Sequence, residues 1–165
     1  MEYICHYTSP VGKITLASDG DALIGLWFNG QKYFASTLRI TPEEKLLPVF
    51  EAAIKWLDIY FSGKIPSFVP KLSIQASPFR RAVYQALLTI PYGQTTTYSE
   101  IAKTINCKSA QAVGGAVAHN PISIIIPCHR VIGKDGSLVG YAGGLDRKKK
   151  LLEMEKIIHR IQVEF

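Results

Sequence analysis

Helix-breaking residues at Gly63, Pro66 and Pro70 divide the sequence into two parts of different character. Because glycine and proline interrupt both helices and strands, these positions predict a linker. Strand-like patterns dominate before the linker, and short helical patterns dominate after it. The 165 residues are enough for a small domain packed on a medium one. We therefore expect an α/β (α+β) chain with an N-terminal domain at residues 1–75, linker included, and a C-terminal domain at residues 76–165.

The first part predicts a small sheet with one helix. Residues 3–7, 14–18 and 23–28 are rich in β-branched and apolar side chains, which is typical of strands. Apolar residues at 48–61 recur at helical spacing, which predicts a helix there. Cys5 lies within the first strand pattern, where a small core residue is the expected role.

The second part predicts a helix-turn-helix. Ser77 precedes a proline and starts a first helix. Thr97 and Glu100 fit a capping box at the start of a short helix. Ser109 then caps another helix, which runs to His119 after a short turn. Two short helices around a tight turn match the DNA-binding motif, although many helical hairpins bind nothing.

The second helix of this pair has an unusual composition. It carries no charged residue and consists mostly of small side chains, with Gly114 and Gly115 adjacent in its interior. Each glycine costs roughly 1 kcal/mol relative to alanine in a helix. Close packing against the rest of the domain and close approach to a nucleic-acid backbone both explain such residues. Without arginine or lysine the helix is poorly equipped to read base edges, so little sequence preference is expected.

Cys128 is the strongest candidate for chemistry. The apolar run 122–126 predicts a short buried strand that Pro127 ends, and His129 and Arg130 follow the cysteine. A neighbouring imidazole or cation favours the nucleophilic thiolate over the thiol. A buried structural cysteine is an equally good interpretation of the residue types alone. Because adjacent side chains of an extended segment point to opposite sides, we expect His129 to reach Cys128 through a water molecule.

A carboxylate lies on the apolar face of the last predicted helix. That helix starts at Asp146 as N-cap and runs to about residue 161. Its apolar positions are Leu151, Leu152, Ile158 and Ile161. Glu155 falls on the same face, where an unpaired carboxylate is costly. It either reaches solvent at the edge of the face or is buried to hold an imidazole, as the third group of a catalytic triad does.

Composition narrows the cellular setting. The net charge of +6 suits a polyanionic partner such as DNA, although surface lysines explain it equally well. Three widely spaced cysteines and an N-terminus without a secretion signal predict a cytoplasmic protein in a reducing environment. The sequence contains no membrane-length apolar run and neither a structural-zinc nor a cofactor-binding motif, so we expect no metal and no cofactor.

The second part as a whole resembles the O6-alkylguanine-DNA alkyltransferases. The motifs run in family order through residues 79–155, whereas the first part resembles the family only in size and element content. The matching segments are Ile90-Pro91-Tyr92-Gly93, Thr97-Tyr98, Ala112-Val113-Gly114-Gly115-Ala116, Asn120-Pro121, Ile126-Pro127-Cys128-His129-Arg130-Val131-Ile132 and Gly140-Tyr141-Ala142-Gly143-Gly144-Leu145.

The resemblance implies a fold and a reaction. The N-terminal sheet-plus-helix domain would be of ribonuclease-H-like type, and the mainly helical C-terminal domain would carry the helix-turn-helix. The protein would flip O6-alkylguanine, with O4-alkylthymine a second candidate, out of duplex DNA. Cys128 would take the alkyl group irreversibly, in a single turnover. A thioether has no easy way to release its carbon group, so without a cofactor the protein would be consumed.

The resemblance also implies roles for individual residues. His129, held by Glu155, would draw the thiol proton through a water. Tyr98 would rotate the nucleotide and protonate the leaving guanine. Asn120 would tie the DNA-reading helix to the cysteine segment. The implied substrate and DNA contacts are Ser99, Ser109, Ala110, Gln111, Gly114, Gly115, Arg130, Val131, Lys134, Tyr141 and Ala142.

The implied partner is double-stranded DNA carrying alkylated bases, bound through the minor groove by a monomer that has no membrane association. Gln111 departs from the family pattern, in which an arginine usually fills the gap left by the flipped base. Glutamine can insert and hydrogen-bond there but brings no charge.

Two other functions compete with alkyl transfer. A hydrolase using Cys128 and His129 would turn over repeatedly and would not need DNA. A non-enzymatic module built on residues 97–120 would bind alkylated DNA and leave the lesion in place.

Overall fold

The computed structural model describes residues 1–164, with side chains described as far as Lys156. The N-terminal unit is a four-stranded sheet in the order β3-β2-β1-β4. The strands are β1 (Tyr3–Ser9), β2 (Gly12–Ser18), β3 (Leu23–Phe28) and β4 (Glu43–Glu44). The first three pair antiparallel and confirm the predicted strands, whereas β4 pairs parallel to β1. The exposed acidic pair of β4 carries no strand pattern, so the sequence did not predict it.

Both faces of the sheet are covered. Helix α1 (Pro48–Phe61) has the predicted bounds and buries Phe50, Ala53 and Leu57 in the main core. A smaller cluster around the buried Trp27 is covered by the loop that follows β3. Packing on both faces therefore fixes the sheet, and the loops that leave it begin at fixed positions.

The predicted linker packs against the N-terminal sheet. Residues 71–73 bind the edge of β3, where Leu23 N–H donates to Lys71 O at 2.8 Å and Ser73 N–H donates to Leu23 O at 2.9 Å. An isolated bridge joins Leu23 to Leu72. Proline and glycine there prevent a full strand, but the backbone between them still satisfies its hydrogen bonds on the sheet.

The C-terminal unit is mainly helical, and the α/β (α+β) fold class is confirmed. Its elements are α2 (Pro78–Leu87), β5 (Thr96–Thr97), α3 (Tyr98–Thr104), α4 (Ala110–Ala118), β6 (Val131–Ile132) and α5 (Leu145–Glu164). Helices α3 and α4 form the predicted helix-turn-helix. Ser77, Thr97 and Ser109 each accept a backbone N–H as N-caps, as their positions predict.

The N-terminal ends of two helices differ in detail from their predictions. The capping box is only half formed, because the Glu100 carboxylate accepts from the Thr96 hydroxyl at 3.1 Å instead of returning to the Thr97 backbone. Helix α5 begins at Leu145, so Asp146 lies in its first turn and is not the N-cap. The side chains of Ile158 and Ile161, predicted for the apolar face of this helix, lie outside the described residues.

The predicted strand at residues 122–126 is wrong. The segment forms tight turns, with Ile124 in the left-handed region at φ 69° and Ile126 N–H donating to Ile122 O at 3.1 Å. Asn120 closes the turn from inside: Oδ1 accepts from Ile122 N–H at 3.0 Å and Nδ2 donates to Ile126 O at 2.8 Å. A buried amide thus satisfies the backbone groups that a strand partner would otherwise pair.

The two units share one apolar core. Buried residues of β3 and α1 pack in the same cluster as those of α2, α4 and the segment before Cys128. Backbone hydrogen bonds from Leu26 to Pro121 and from Ser123 to Leu26 join them directly. Within the described part of the chain, no helix has the length and apolar character needed to cross a membrane.

Candidate active site

Cys128 begins a short 3₁₀ turn over residues 128–130, not the extended segment that the sequence predicts. The turn buries consecutive residues: Cys128 is 5% exposed and His129 is fully buried. The alternation expected of an extended chain therefore does not separate the two side chains. The cysteine lies within the apolar core that the two units share.

Glu155 is buried at the centre of a hydrogen-bond network and does not reach solvent. Its Oε2 accepts from the Tyr60 hydroxyl and from His129 Nε2, both at 2.5 Å. Its Oε1 accepts from Arg130 Nε at 2.8 Å and from Gly93 N–H at 3.2 Å. Burial acts to raise the pKa of Glu155, but the hydrogen bond from His129 and the charge of Arg130 outweigh it and hold that pKa well below its usual range. The carboxylate is therefore ionised.

The network fixes the proton of His129. An ionised carboxylate only accepts hydrogen bonds, so His129 carries its proton on Nε2 and presents an unprotonated Nδ1. Burial lowers the pKa of His129 and keeps the ring neutral. Nδ1 is buried and has no hydrogen-bond partner among the described protein atoms. The ring is thus prepared to accept a proton on the side away from Glu155.

Cys128 rests as a thiol. Burial raises its pKa to about 11, against lowering contributions from the Asn120 side chain and the Lys148 ammonium. The neighbours expected to favour the thiolate do not offset burial, because His129 is neutral and the Arg130 guanidinium is paired with Glu155. Reaction at neutral pH requires that the proton leave as the sulfur attacks, which gives the neutral His129 ring a function.

The raised pKa of Cys128 predicts how its thiol reacts when no DNA is bound. Iodoacetamide reacts with the thiolate, so labelling of Cys128 should keep rising with pH, about tenfold per unit, without levelling up to pH ~10. Labelling of Cys128 should be followed by peptide mass spectrometry, with the partly exposed Cys107 as internal reference. A Cys128 profile that levels below the ordinary cysteine value of 9.0 would contradict the burial argument.

A small cavity lies where the resemblance places the alkylated base. It measures about 180 Å³, and its lining includes Tyr98, Tyr141 and Ala142. Tyr98 Oη donates to Val139 O at 3.1 Å and so contacts the loop before Tyr141. Burial raises the pKa values of both tyrosines. The cavity therefore brings together residues that the resemblance implies for the substrate.

A larger cavity of about 440 Å³ is lined by Lys149, Glu153 and Lys156 together with Glu155. Its lining does not include Tyr98, Tyr141 or Ala142. The smaller cavity is therefore the one that brings these predicted substrate residues together.

Helix α4 presents its small residues to solvent. Val113, Ala116 and Val117 are buried, and Tyr84 Oη donates to Ala116 O at 2.8 Å from the protein side. Gln111 and Gly115 are exposed. A methyl group added at Gly115 would meet nothing within 4 Å, and one at Gly114 would make only an ordinary contact with Tyr98. Packing inside the protein does not require either glycine, which favours an external partner that approaches closely.

The other predicted DNA contacts divide into two groups. Ser99 and Ala110 are half-buried. Ser109, at the start of α4, and Lys134, in the segment after β6, are exposed. The side chains of Arg130 and Val131 are buried.

Arg130 binds Glu155 and donates to Ile90 O at 2.8 Å, so its guanidinium is engaged inside the protein. A DNA contact by Arg130 or Val131 stays a prediction. The Val131 side chain is fully buried, and its carbonyl accepts from Lys148 Nζ.

Lys148 and Tyr60 also contribute to this region, although neither was predicted from the sequence. Lys148 is fully buried and donates to the carbonyls of Val131, Val139 and Gly140 at 2.5, 2.9 and 3.0 Å. Desolvation lowers its pKa to about 8. In the sequence, Lys148 looks like part of an exposed basic run. Its burial could have been predicted from its position, because residues 148, 151, 152 and 155 share one helix face. Tyr60, on the N-terminal unit, had no comparable signal.

Comparisons with known proteins agree with this geometry. The family profile described as "6-O-methylguanine DNA methyltransferase, ribonuclease-like domain" matches residues 3–74. The profile described as "6-O-methylguanine DNA methyltransferase, DNA binding domain" matches residues 78–157.

Individual relatives match along most of their length. The methylated-DNA–protein-cysteine methyltransferase of Mycobacterium tuberculosis H37Rv is 46% identical over 149 residues, which are 90% of this chain and 88% of the relative. The protein of the same name from Haemophilus influenzae is 43% identical over 158 residues, 94% of this chain and 87% of the relative. The crystal structure of Mycobacterium tuberculosis OGT in complex with DNA superposes with a TM-score of 0.86 at 42% identity, covering 94% of both chains.

Proposed function

The chain belongs to the 6-O-methylguanine DNA methyltransferase family, and on that premise we propose that it repairs alkylated DNA by moving the alkyl group of O6-alkylguanine onto Cys128. The observation that carries the choice of residues is the buried network around Glu155, which leaves His129 neutral beside a buried thiol. A hydrolase would have to release the group from the sulfur, and a thioether does not hydrolyse readily, so a transferred alkyl group is retained.

The proposed reaction is a single displacement. The Cys128 sulfur attacks the alkyl carbon as the thiol proton passes, through a water, to His129 Nδ1. The carbon–sulfur bond forms, the carbon–oxygen bond breaks, and the electron pair remains on the guanine. Glu155 stabilises the imidazolium that forms, as the carboxylate of a catalytic triad does. The guanine then takes a proton from the Tyr98 hydroxyl, which lies at the base cavity.

Asn120 is proposed as a positioning residue. Its amide ties the turn before Cys128 to the end of α4, and its side chain also lowers the pKa of the thiol. A change at the DNA-facing helix would thereby be transmitted to the cysteine.

The chain binds DNA, and we propose that α4 enters the minor groove while the damaged nucleotide turns outward into the cavity. The uncharged, small-residue face of α4 supports close approach with little sequence preference. We further propose two domains, residues 1–75 and 76–165, acting as a monomer. The two family profiles, which meet between residues 74 and 78, support that division. The cytoplasmic location stays a prediction of the sequence.

Gln111 provides a test of base flipping. Gln111→Arg should tighten DNA binding, because one added phosphate contact steepens the salt dependence by about one unit of log–log slope. Gln111→Ala should slow repair of duplex DNA but hardly affect transfer from free O6-methylguanine, which needs no flipping. The measurements are second-order rates on both substrates for the three proteins. Equal slowing of both by Gln111→Ala would place Gln111 in support of the active site instead.

Stoichiometry distinguishes the proposed function from its rivals. With excess O6-methylguanine duplex, the demethylated product should reach a plateau at one equivalent of protein. Product beyond one equivalent would indicate the hydrolase. Binding of the duplex with no product would indicate the non-enzymatic module.

A further inference from the structure

The N-terminal unit reaches into the base cavity through the loop after β3. Lys32 and Tyr33 line the cavity of about 180 Å³ together with Tyr98, Gly114 and Tyr141 of the C-terminal unit. Lys32 N–H donates to Ala142 O at 3.2 Å and joins the loop to the opposite rim. The cavity is therefore closed by both halves of the chain.

Tyr33 is held over the cavity by a stacking contact. Its ring lies 3.8 Å from the His119 ring, centroid to centroid, at an interplanar angle of 28°. His119 is the C-cap of α4, and its Nδ1 bonds Gly115 O at 2.8 Å. Tyr33 is 47% exposed, so one part of the ring is engaged and another remains free to meet a ligand. The stack links the N-terminal loop directly to the DNA-facing helix.

The loop keeps an unfavourable backbone conformation at this point. Tyr33 and Ala35 both have φ 59°, in the left-handed region that non-glycine residues rarely adopt. Such residues persist only where the surroundings hold them, and they concentrate at ligand sites. Thr37 fixes the far end of the loop by donating from Oγ1 to Ile24 O at 2.9 Å.

The near end of the loop is fixed by a buried glutamine. Gln31 Oε1 accepts from Phe28 N–H at 2.8 Å, and Nε2 donates to Lys32 O at 3.0 Å. The position of the Tyr33 ring is thus set by the fold and is not that of a freely moving surface side chain.

The stacked pair separates two cavities. Tyr33 lines the base cavity, whereas His119 lines a second one of about 130 Å³ with Ser36 and Thr37. Tyr98 and Tyr141 line the base cavity from the C-terminal unit, whereas Tyr33 lines it from the N-terminal unit. Removing its ring would extend the base cavity toward the second one.

We propose that Tyr33 is a specificity-determining residue: its ring forms the N-terminal wall of the base cavity and limits the size of the O6 substituent that the protein accepts. This inference rests on the proposed function, since it assumes that the alkylated guanine occupies this cavity. The N-terminal unit then selects the substrate in addition to supporting Glu155 through Tyr60.

The test compares second-order transfer rates for free O6-methylguanine and free O6-benzylguanine, which avoids DNA contacts. Tyr33→Ala should raise the benzyl-to-methyl rate ratio by about tenfold, the effect expected when a hydrophobic pocket is enlarged. Tyr33→Phe keeps the ring and should keep the wild-type ratio. Tyr33→Gly removes the ring and also suits the left-handed backbone, so it should fold readily and match Tyr33→Ala.

Each outcome decides the proposal. A raised ratio in Tyr33→Ala and Tyr33→Gly, with Tyr33→Phe unchanged, supports the wall. An unchanged ratio in Tyr33→Gly, or equal slowing of both substrates, overturns it. A wild-type protein that transfers neither group from the free bases, nor a methyl group from an O6-methylguanine duplex, would refute the proposed function itself, which is a different result.

Discussion

Replacing Glu155 by glutamine is expected to slow methyl transfer by about a hundredfold, because the His129 ring loses the charge that stabilises its protonated form. The same change leaves the buried Arg130 without its partner carboxylate. Removing one member of a buried ion pair typically costs about 3–5 kcal/mol of unfolding free energy. The measurements are the single-turnover rate on duplex O6-methylguanine and denaturant unfolding. Glu153→Gln, an exposed change on the same helix, is the matched control and should alter neither.

A double-mutant cycle tests whether Glu155 and His129 act as one unit. His129→Ala should be about as slow as Glu155→Gln, and the double variant should cost little more than the worse single. Additive losses would show that the two residues act independently. If Glu155→Gln fails to fold, Tyr60→Phe offers a milder change. It removes one hydrogen bond to the carboxylate while retaining the ring, and it should slow transfer with a small loss of stability.

The ionised Glu155 also sets the acid sensitivity of the fold. Because its pKa is lowered in the folded protein, its contribution to stability is present above the ordinary value of 4.5 and is lost as the pH falls below it. Glu155→Gln should therefore reduce the difference between stabilities measured at neutral and acidic pH. Glu153→Gln should leave that difference unchanged.

Replacing Cys128 by serine is expected to abolish transfer, because a neutral hydroxyl is a far weaker nucleophile than a thiol that loses its proton to His129. The substitution changes a single atom in a buried position, so duplex DNA binding should remain close to the wild-type value. Cys107→Ser, in the turn of the helix-turn-helix, is the control and should transfer methyl groups normally. Methyl removal by Cys128→Ser would show that another residue is the acceptor.

Much of the fold followed from local sequence signals. Caps at Ser77, Thr97 and Ser109 and the apolar periodicity of 48–61 are properties of neighbouring residues, and the structure confirms them. The turn at 122–126 was missed because β-branched residues favour strands, and only the distant amide of Asn120 offers the alternative. Long-range hydrogen bonds of this kind leave no periodic signal.

The candidate active site was likewise predicted only in part. Cys128, His129 and Glu155 are visible as a flanked cysteine and a carboxylate on an apolar face. The inward turn of Arg130 and the contribution of Tyr60 depend on how α1 and α5 pack together, which the sequence does not specify locally. Tyr33 lies in a loop without pattern, and its relation to the cavity appears only once both units are folded together.

The measurement that tests the central claim most directly is the intact mass of the protein after incubation with an O6-methylguanine duplex, followed by peptide mapping. We predict a gain of one methyl group per molecule, located on Cys128 and absent from Cys5 and Cys107. Demethylated DNA together with an unchanged protein mass, or a methyl group on any other residue, would contradict the account.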